Sequence, residues 1–409
     1  MDPLRKGSSL VAGCIVLLNL GACGGGGGGA GPVGGGPVPL PSGANVAPIT
    51  VDSGPAGTVN TPFVSVTLCL PGTTTCQTID HVLVDTASTG LRIVASLLDP
   101  ALTLPAAVDG LGNPLAECVQ FADGHSFGSL KRADVRIAEE RASNLAVHVI
   151  GDPAYAAVPV DCGSIGPPEN TVQTLGAKGI LGLGVFREDC GAACATAAVP
   201  ATYYSCPATG CVPASVALAG QVQNPAWRFP VNNNGAMLVL RSVDPAGAAL
   251  VGGALVFGID TQSNNQLGRA TVLKVDPATA SFTTIYKGQS LPASFLDSGS
   301  NGLFFTDGSL PVCTGSVAPG FYCPTTLQTL SATLQSVTGV SSSVSFSVAN
   351  AESLLGNNAT YIAFASLGGI NPSGGSFDWG LPFFYGRTVY IAIEGQTTSS
   401  GAGPFVAYQ

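Results

Sequence analysis

Asp85 and Asp297 stand in two segments of the same design. The first runs Val82-Leu83-Val84-Asp85-Thr86-Ala87-Ser88-Thr89-Gly90-Leu91, the second Ser294-Phe295-Leu296-Asp297-Ser298-Gly299-Ser300-Asn301-Gly302-Leu303. In each, apolar residues deliver one aspartate into a turn of small and hydroxyl residues, and a second apolar run follows. A carboxylate beside a buried strand is costly unless it is paired, hydrogen-bonded or put to use. A single copy would read as an aspartate capping its own turn. Two copies with the same flanks, half a chain apart, point instead to two related lobes that bring two carboxylates together. Two carboxylates in contact cannot both ionise cheaply, so such a pair shares a proton. One member then acts as general base and the other as general acid toward a water molecule.

Loops of this kind must be held by strands, and the rest of the chain supplies them. Its 409 residues suffice for two lobes, each with its own core. With 45% hydrophobic and 10% charged residues, and 55 Gly and 30 Pro among Val, Leu, Thr and Phe, it reads as many short strands. Strand-like segments recur from 62–70 to 388–393, and only 213–222 and 325–337 read as helical. The expected fold class is all-β, with two pseudo-symmetric lobes at 46–225 and 226–409. The boundary lies where Asn224-Pro225 and Asn232-Asn233-Asn234-Gly235 make the chain turn-rich. A second duplicated element supports the lobes. Ile180-Leu181-Gly182-Leu183-Gly184-Val185-Phe186 follows the first aspartate loop and Asp378-Trp379-Gly380-Leu381-Pro382-Phe383-Phe384 the second. Apolar runs cut by glycine suit places where one backbone passes closely over another.

Composition also excludes several functions. A net charge of -9 with no basic cluster argues against nucleic-acid binding. The only histidines, His81, His125 and His148, show no metal-ligand spacing, and no cofactor or metal is expected. No Gly-x-Ser-x-Gly elbow joins a strand to a helix, which disfavours a Ser-His-Asp hydrolase.

The first residues read as an address rather than as fold. Arg5 and Lys6 precede the apolar stretch 10–20, which ends in Leu20-Gly21-Ala22-Cys23. This is the layout of an export signal over 1–22, and the tetrad looks like a bacterial lipobox that would lipidate Cys23. A Gly- and Pro-rich linker occupies 23–45. The expected location is the bacterial cell envelope, with the membrane met only through the lipid anchor. Setting aside Cys14 and Cys23, the 12 cysteines leave an even set that reads as disulfides in an exported chain. Cys69 with Cys76 and Cys313 with Cys323 can close small loops. Cys190, Cys194, Cys206 and Cys211 are expected to pair among themselves, in an order the sequence leaves open.

With these motifs in order, the chain resembles the pepsin-type aspartic peptidases over 46 to 409. Those enzymes are two β lobes, each carrying Asp-Thr/Ser-Gly-Ser/Thr and a later apolar-apolar-Gly segment. Asp297-Ser298-Gly299-Ser300 matches that motif fully, and Phe121-Ala122-Asp123-Gly124 with Gly128 resembles the flap hairpin. The resemblance implies that Asp85 and Asp297 are the dyad. It implies that Ser88 and Ser300 hydrogen-bond the outer carboxylate oxygens, and that Thr86 and Ser298 lock the two loops together. Phe121 and Gly124 would belong to the flap, and an extended peptide or protein would be the substrate of a monomeric enzyme. Asn232-Asn233-Asn234-Gly235 and Gln262-Ser263-Asn264-Asn265 resemble a branch of bacterial exported proteins within that group. Three residues depart from the pattern: Ala87 where the family has Gly, Phe121 where it has Tyr, and Arg92 where Trp is common. Arg92 reads by itself as a solvated charge at a strand end. The alternative function is a surface-tethered protein that keeps the cleft for binding, since a binding role puts no demand on the water geometry near Ala87.

Overall fold

The computed structural model describes residues 39–164, 166–371 and 374–409. The expected signal, Cys14, the lipidation residue Cys23 and the linker up to residue 38 lie outside the described residues.

Strands dominate, because short apolar and β-branched runs alternate with glycine and proline turns. Residues 325–337 show how close the helix and strand readings were. The segment forms the strand Gln328–Gln335, paired along its length with Ser341–Val348. Ala332 and Leu334 are buried while Thr329 and Ser331 face solvent, a period of two rather than 3.6. The other expected helix, 213–222, holds only the single 3-10 turn Leu218–Gly220. Helices that do form are one or two turns long, at Val160–Gly163, Val172–Leu175, Ala192–Thr196 and Ala351–Asn357.

The protein is all-β and bilobal. One large sheet carries the first lobe and continues into the second, where Val46–Val51 pairs antiparallel with Val251–Phe257. The second lobe adds a sheet built from Phe282–Tyr286, Gln289–Leu296, Gln328–Gln335 and Ser341–Val348, extended by the short strands around Asp378–Trp379. The two lobes repeat one arrangement. In the first, Gly179–Leu183 lies between Cys76–Asp85, which it pairs in parallel, and Thr89–Val94, which it pairs antiparallel. In the second, Asp378–Trp379 lies between Gln289–Leu296, again parallel, and Leu303–Phe304, again antiparallel. Each glycine run is thus threaded between the strands that enter and leave an aspartate loop. A side chain there would collide: a Cβ on Gly182 would lie 2.7 Å from Thr89 N, and one on Gly380 2.1 Å from Gly302 O.

Five disulfides link Cys69–Cys76, Cys118–Cys162, Cys190–Cys194, Cys206–Cys211 and Cys313–Cys323. A chain with this many disulfides belongs outside the reducing cytoplasm. The asparagine-rich motifs fasten turns. Asn234 donates to Ile259 O and accepts from its N–H, Asn265 receives the N–H groups of Thr261 and Gln262, and Asn232 donates to buried Glu140 across the lobes.

Candidate active site

Asp85 ends the strand Cys76–Asp85, and Asp297 follows Gln289–Leu296 directly. Each aspartate bends its loop by accepting backbone N–H groups of that loop, the usual behaviour of a short carboxylate in a turn. Asp85 Oδ1 accepts from Ala87 N at 2.8 Å and Ser88 N at 3.3 Å, and Asp297 Oδ1 accepts from Gly299 N at 2.7 Å. The carboxylates are brought together. A side chain on Gly299 would begin 3.1 Å from Asp297 Oδ1 and 3.1 Å from both Oδ1 and Cγ of Asp85. The two Oδ1 atoms are therefore separated by no more than twice that distance.

A reciprocal set of hydrogen bonds holds this approach. The Thr86 hydroxyl accepts from Ser298 N at 3.0 Å and donates to Leu296 O at 3.1 Å, while the Ser298 hydroxyl donates to Val84 O at 2.6 Å. Each loop thus bonds the strand that delivers the other. Both side chains are buried, so these bonds are shielded from competing water.

The outer oxygens are treated differently in the two lobes. Ser300 Oγ lies 2.8 Å from Asp297 Oδ2 and 2.6 Å from Asp378 Oδ2, joining two carboxyl groups. Ser88 makes no such bond, contrary to the role inferred for it from the sequence. Its hydroxyl is buried without a hydrogen-bonding partner and lies against the Gly182 backbone. The lobes differ in the residue at one matching register position. Phe295 pairs with Asp378 in the second lobe and the corresponding Leu83 with Ile180 in the first, so the position that presents a carboxyl to Ser300 holds a hydrocarbon in the first lobe.

Asp378 is the residue the motif reading missed, although one charge inside the apolar run Phe377–Phe384 is an anomaly visible in the sequence. Strand alternation sends Phe377 and Trp379 into the aromatic core, where their rings stack 3.9 Å apart, and turns Asp378 the other way, toward Ser300. Burial holds the Asp378 carboxyl up at about 8, with the Asp85 charge adding and Ser300 opposing. Asp297 is also raised well above the ordinary carboxylate range, first by desolvation between the lobes and then by the charges of Asp85 and Asp378. A proton on Asp297 is what these neighbours favour.

The flap-like hairpin pairs Leu115–Gln120 with His125–Ile137, and its turn closes where Phe121 N donates to Gly124 O at 2.8 Å. Phe121 is partly exposed, whereas Gly124 is buried against the segment 166–169, leaving 2.5 Å between an added Cβ and Pro167 O. His125 N donates to Pro167 O and Ser126 Oγ to Glu169 O, so the turn is fastened on one side. The disulfide Cys118–Cys162 fastens the same hairpin covalently. Arg92 is not a solvated charge. It is 2% exposed and paired with Glu117 of the hairpin at 2.9 Å and with Asp189 at 3.3 Å, and Tyr203 donates to Asp189 at 2.5 Å. Its charge serves the hairpin base, because burial of a guanidinium demands carboxylate partners. Ala87, by contrast, is exposed.

Residues 41–408 match a family described as "Protein of unknown function (DUF3443)". The chain belongs to that family. No curated protein matches this chain. Among solved structures it is similar to the crystal structure of aspartic proteinase from Irpex lacteus, with 15% identity, a TM-score of 0.49, and 89% of this chain and 96% of that chain covered.

Proposed function

We propose that this member of the family is an exported aspartic-type endopeptidase, in which Asp85 and Asp297 activate one water for attack on a peptide carbonyl. The observation that carries this reading is the meeting of two carboxylates from two lobes, each bent inward by its own loop N–H groups and joined across the Thr86–Ser298 bonds. Asp85 takes the proton of the water as general base, and Asp297 supplies a proton to the carbonyl oxygen as general acid. No covalent intermediate forms. Extended, apolar-rich peptides are the substrate class, lying along the cleft beside the hairpin around Phe121. The mature chain acts as a monomer, tethered to a membrane through lipid on Cys23 by the flexible segment that follows. It needs no cofactor.

The test offers purified mature protein a diverse peptide mixture from acidic to neutral pH, beside Asp85→Asn and Asp297→Asn. Each variant is expected to lose about 10²–10⁴-fold in rate, the size of a general acid or base contribution. Cleavage that survives in both removes the pair from the mechanism. The rate should fall as rising pH takes the shared proton from the pair. Peptide binding without cleavage in the wild type would favour a binding protein built on the same cleft. For the anchor, Cys23→Ser should release the protein from membranes, and unchanged retention would sink the lipid tether.

A further inference from the structure

A third carboxyl belongs to this site. Asp378 is 8% exposed, its Oδ1 has no hydrogen-bonding partner, and its Oδ2 lies 2.6 Å from Ser300 Oγ. The same hydroxyl lies 2.8 Å from Asp297 Oδ2. One hydroxyl proton cannot satisfy two carboxylate oxygens at once. With neither carboxyl bringing a proton to Ser300, Asp297 or Asp378 would lose its donor in a buried place. With a proton on Asp378 the count closes: Asp378 O–H donates to Ser300, and Ser300 O–H donates to Asp297.

The surroundings favour the second arrangement. From the first lobe Asp378 meets the charge of Asp85, and from the second-lobe loop it meets Ser300, behind which stands Asp297. The strands beside it contribute Phe295 and Phe304 at its register positions. No ion pair reaches it among the described residues, so no cation offsets the cost of a charge there. Its raised titration, near 8, accords with this.

We propose that Asp378 is a positioning residue of the aspartate pair, which stays protonated and, by donating to Ser300, directs the Ser300 proton onto the outer oxygen of Asp297. The assignment rests on the reading of Asp85 and Asp297 as a proton-sharing pair. With Asp297 Oδ2 committed as an acceptor, the proton of the pair sits on the Oδ1 side, where the two carboxylates meet. The first lobe has no such device, since Ile180 occupies the matching register position and Ser88 is unpartnered. The site is thereby asymmetric, and its proton donor is assigned to the second lobe. When Asp378 ionises, the Ser300 proton turns to it and Asp297 loses its outer donor.

Neutron diffraction from deuterated protein at mildly acidic pH reads these positions directly. Deuterium is expected on Asp378 Oδ2, with the Ser300 O–D vector aimed at Asp297. A bare Asp378 carboxylate with Ser300 aimed at it overturns the proposal. Infrared titration without substrate is the second readout: wild type should show a carboxylic acid signal, titrating near 8, that is missing from Asp378→Asn. An unchanged signal in that variant overturns the proposal as well. Neither readout depends on cleavage, so the expected protons in a protein that cuts no peptide would leave this assignment standing and remove the peptidase reading. Where cleavage is measured, Asp378→Leu should lower kcat about 10-fold, the worth of one hydrogen bond. Asp378→Asn, whose amide still donates, should recover most of that loss, and equal loss in both variants argues against a donated hydrogen bond.

Discussion

At the scale of single residues, the two aspartate loops differ by a methyl group at Ala87 and Gly299, and the geometry predicts opposite consequences for changing it. Gly299→Ala would place a carbon 3.1 Å from both carboxylates, a tight approach that pushes the carboxylates apart by a fraction of an ångström. Displacing reacting groups by about 1 Å costs on the order of 10²-fold, so this smaller displacement is expected to lower the rate by less than that, with the fold retained. Ala87→Gly removes a methyl from the exposed rim of the pair and should raise the rate of peptide cleavage. An unchanged rate there would say that Ala87 does not constrain the water. Thr86→Val deletes a hydroxyl that serves a buried N–H and a buried carbonyl together, Ser298 N and Leu296 O. Leaving them unpaired should cost about 1–3 kcal/mol in denaturant unfolding. Ser298→Ala should cost a similar amount, and the double variant less than the sum, because both act through one set of bonds.

At the scale of elements, the hairpin is the part whose motion would admit a substrate, and it carries its own pH dependence. Glu169 lies over the turn at Gly124, where burial, and then the neighbouring Asp123 charge, raise its carboxyl to about 9. A folded value above the ordinary one means that the contribution of Glu169 is full below about 4.5 and is lost as pH rises through about 9. The hairpin turn is therefore firmest under acid conditions, where the aspartate pair also keeps its proton. Glu169→Gln keeps a neutral side chain at every pH. At mildly alkaline pH, amide exchange at 121–128 is expected to be slower in that variant than in wild type, with the difference vanishing in acid. Equal exchange at both would separate Glu169 from the turn. At the base of the same hairpin, Arg92 with Glu117 and Asp189 forms a buried charged set.

At the scale of the whole molecule, the lobes are joined by a continuous sheet and by one residue that no motif singles out. Asn60 is fully buried in a left-handed conformation, with φ of 52°. Its amide donates to Asn301 O and Phe364 O, and its oxygen accepts from Phe364 N and the Tyr385 hydroxyl. A first-lobe loop is thus plugged into the second lobe beside the loop that carries Asp297. Asn60→Leu would orphan these partners and place a branched side chain at a positive φ, costing about 3 kcal/mol or more. Thermal unfolding should show the loss, and cleavage should fall with it, since the spacing of the two aspartates depends on how the lobes meet.

Much of this was legible in the residues themselves. A lone acid at the end of an apolar strand has few inexpensive explanations, and its repetition with the same flanks implied two lobes and a pair. The short cysteine loops were readable for a similarly local reason, because few residues separate the partners. Other features depended on partners that local sequence does not name. Whether 325–337 became helix or strand was settled by pairing with Ser341–Val348, which overrides weak intrinsic preference. Arg92 looked solvated until the fold set Glu117 and Asp189 against it, and Cys118 found Cys162 across 44 residues. Ser88 and Ser300 occupy matching places in matching motifs, yet one hydroxyl is idle and the other joins two carboxyls. That difference follows the residue at the matching register position, Ile180 in one lobe and Asp378 in the other, which the fold sets beside the aspartate loops. Sequence by itself determined the chemistry on offer and its duplication. Tertiary structure decided which groups meet, because a carboxyl takes its proton affinity from its neighbours and its burial.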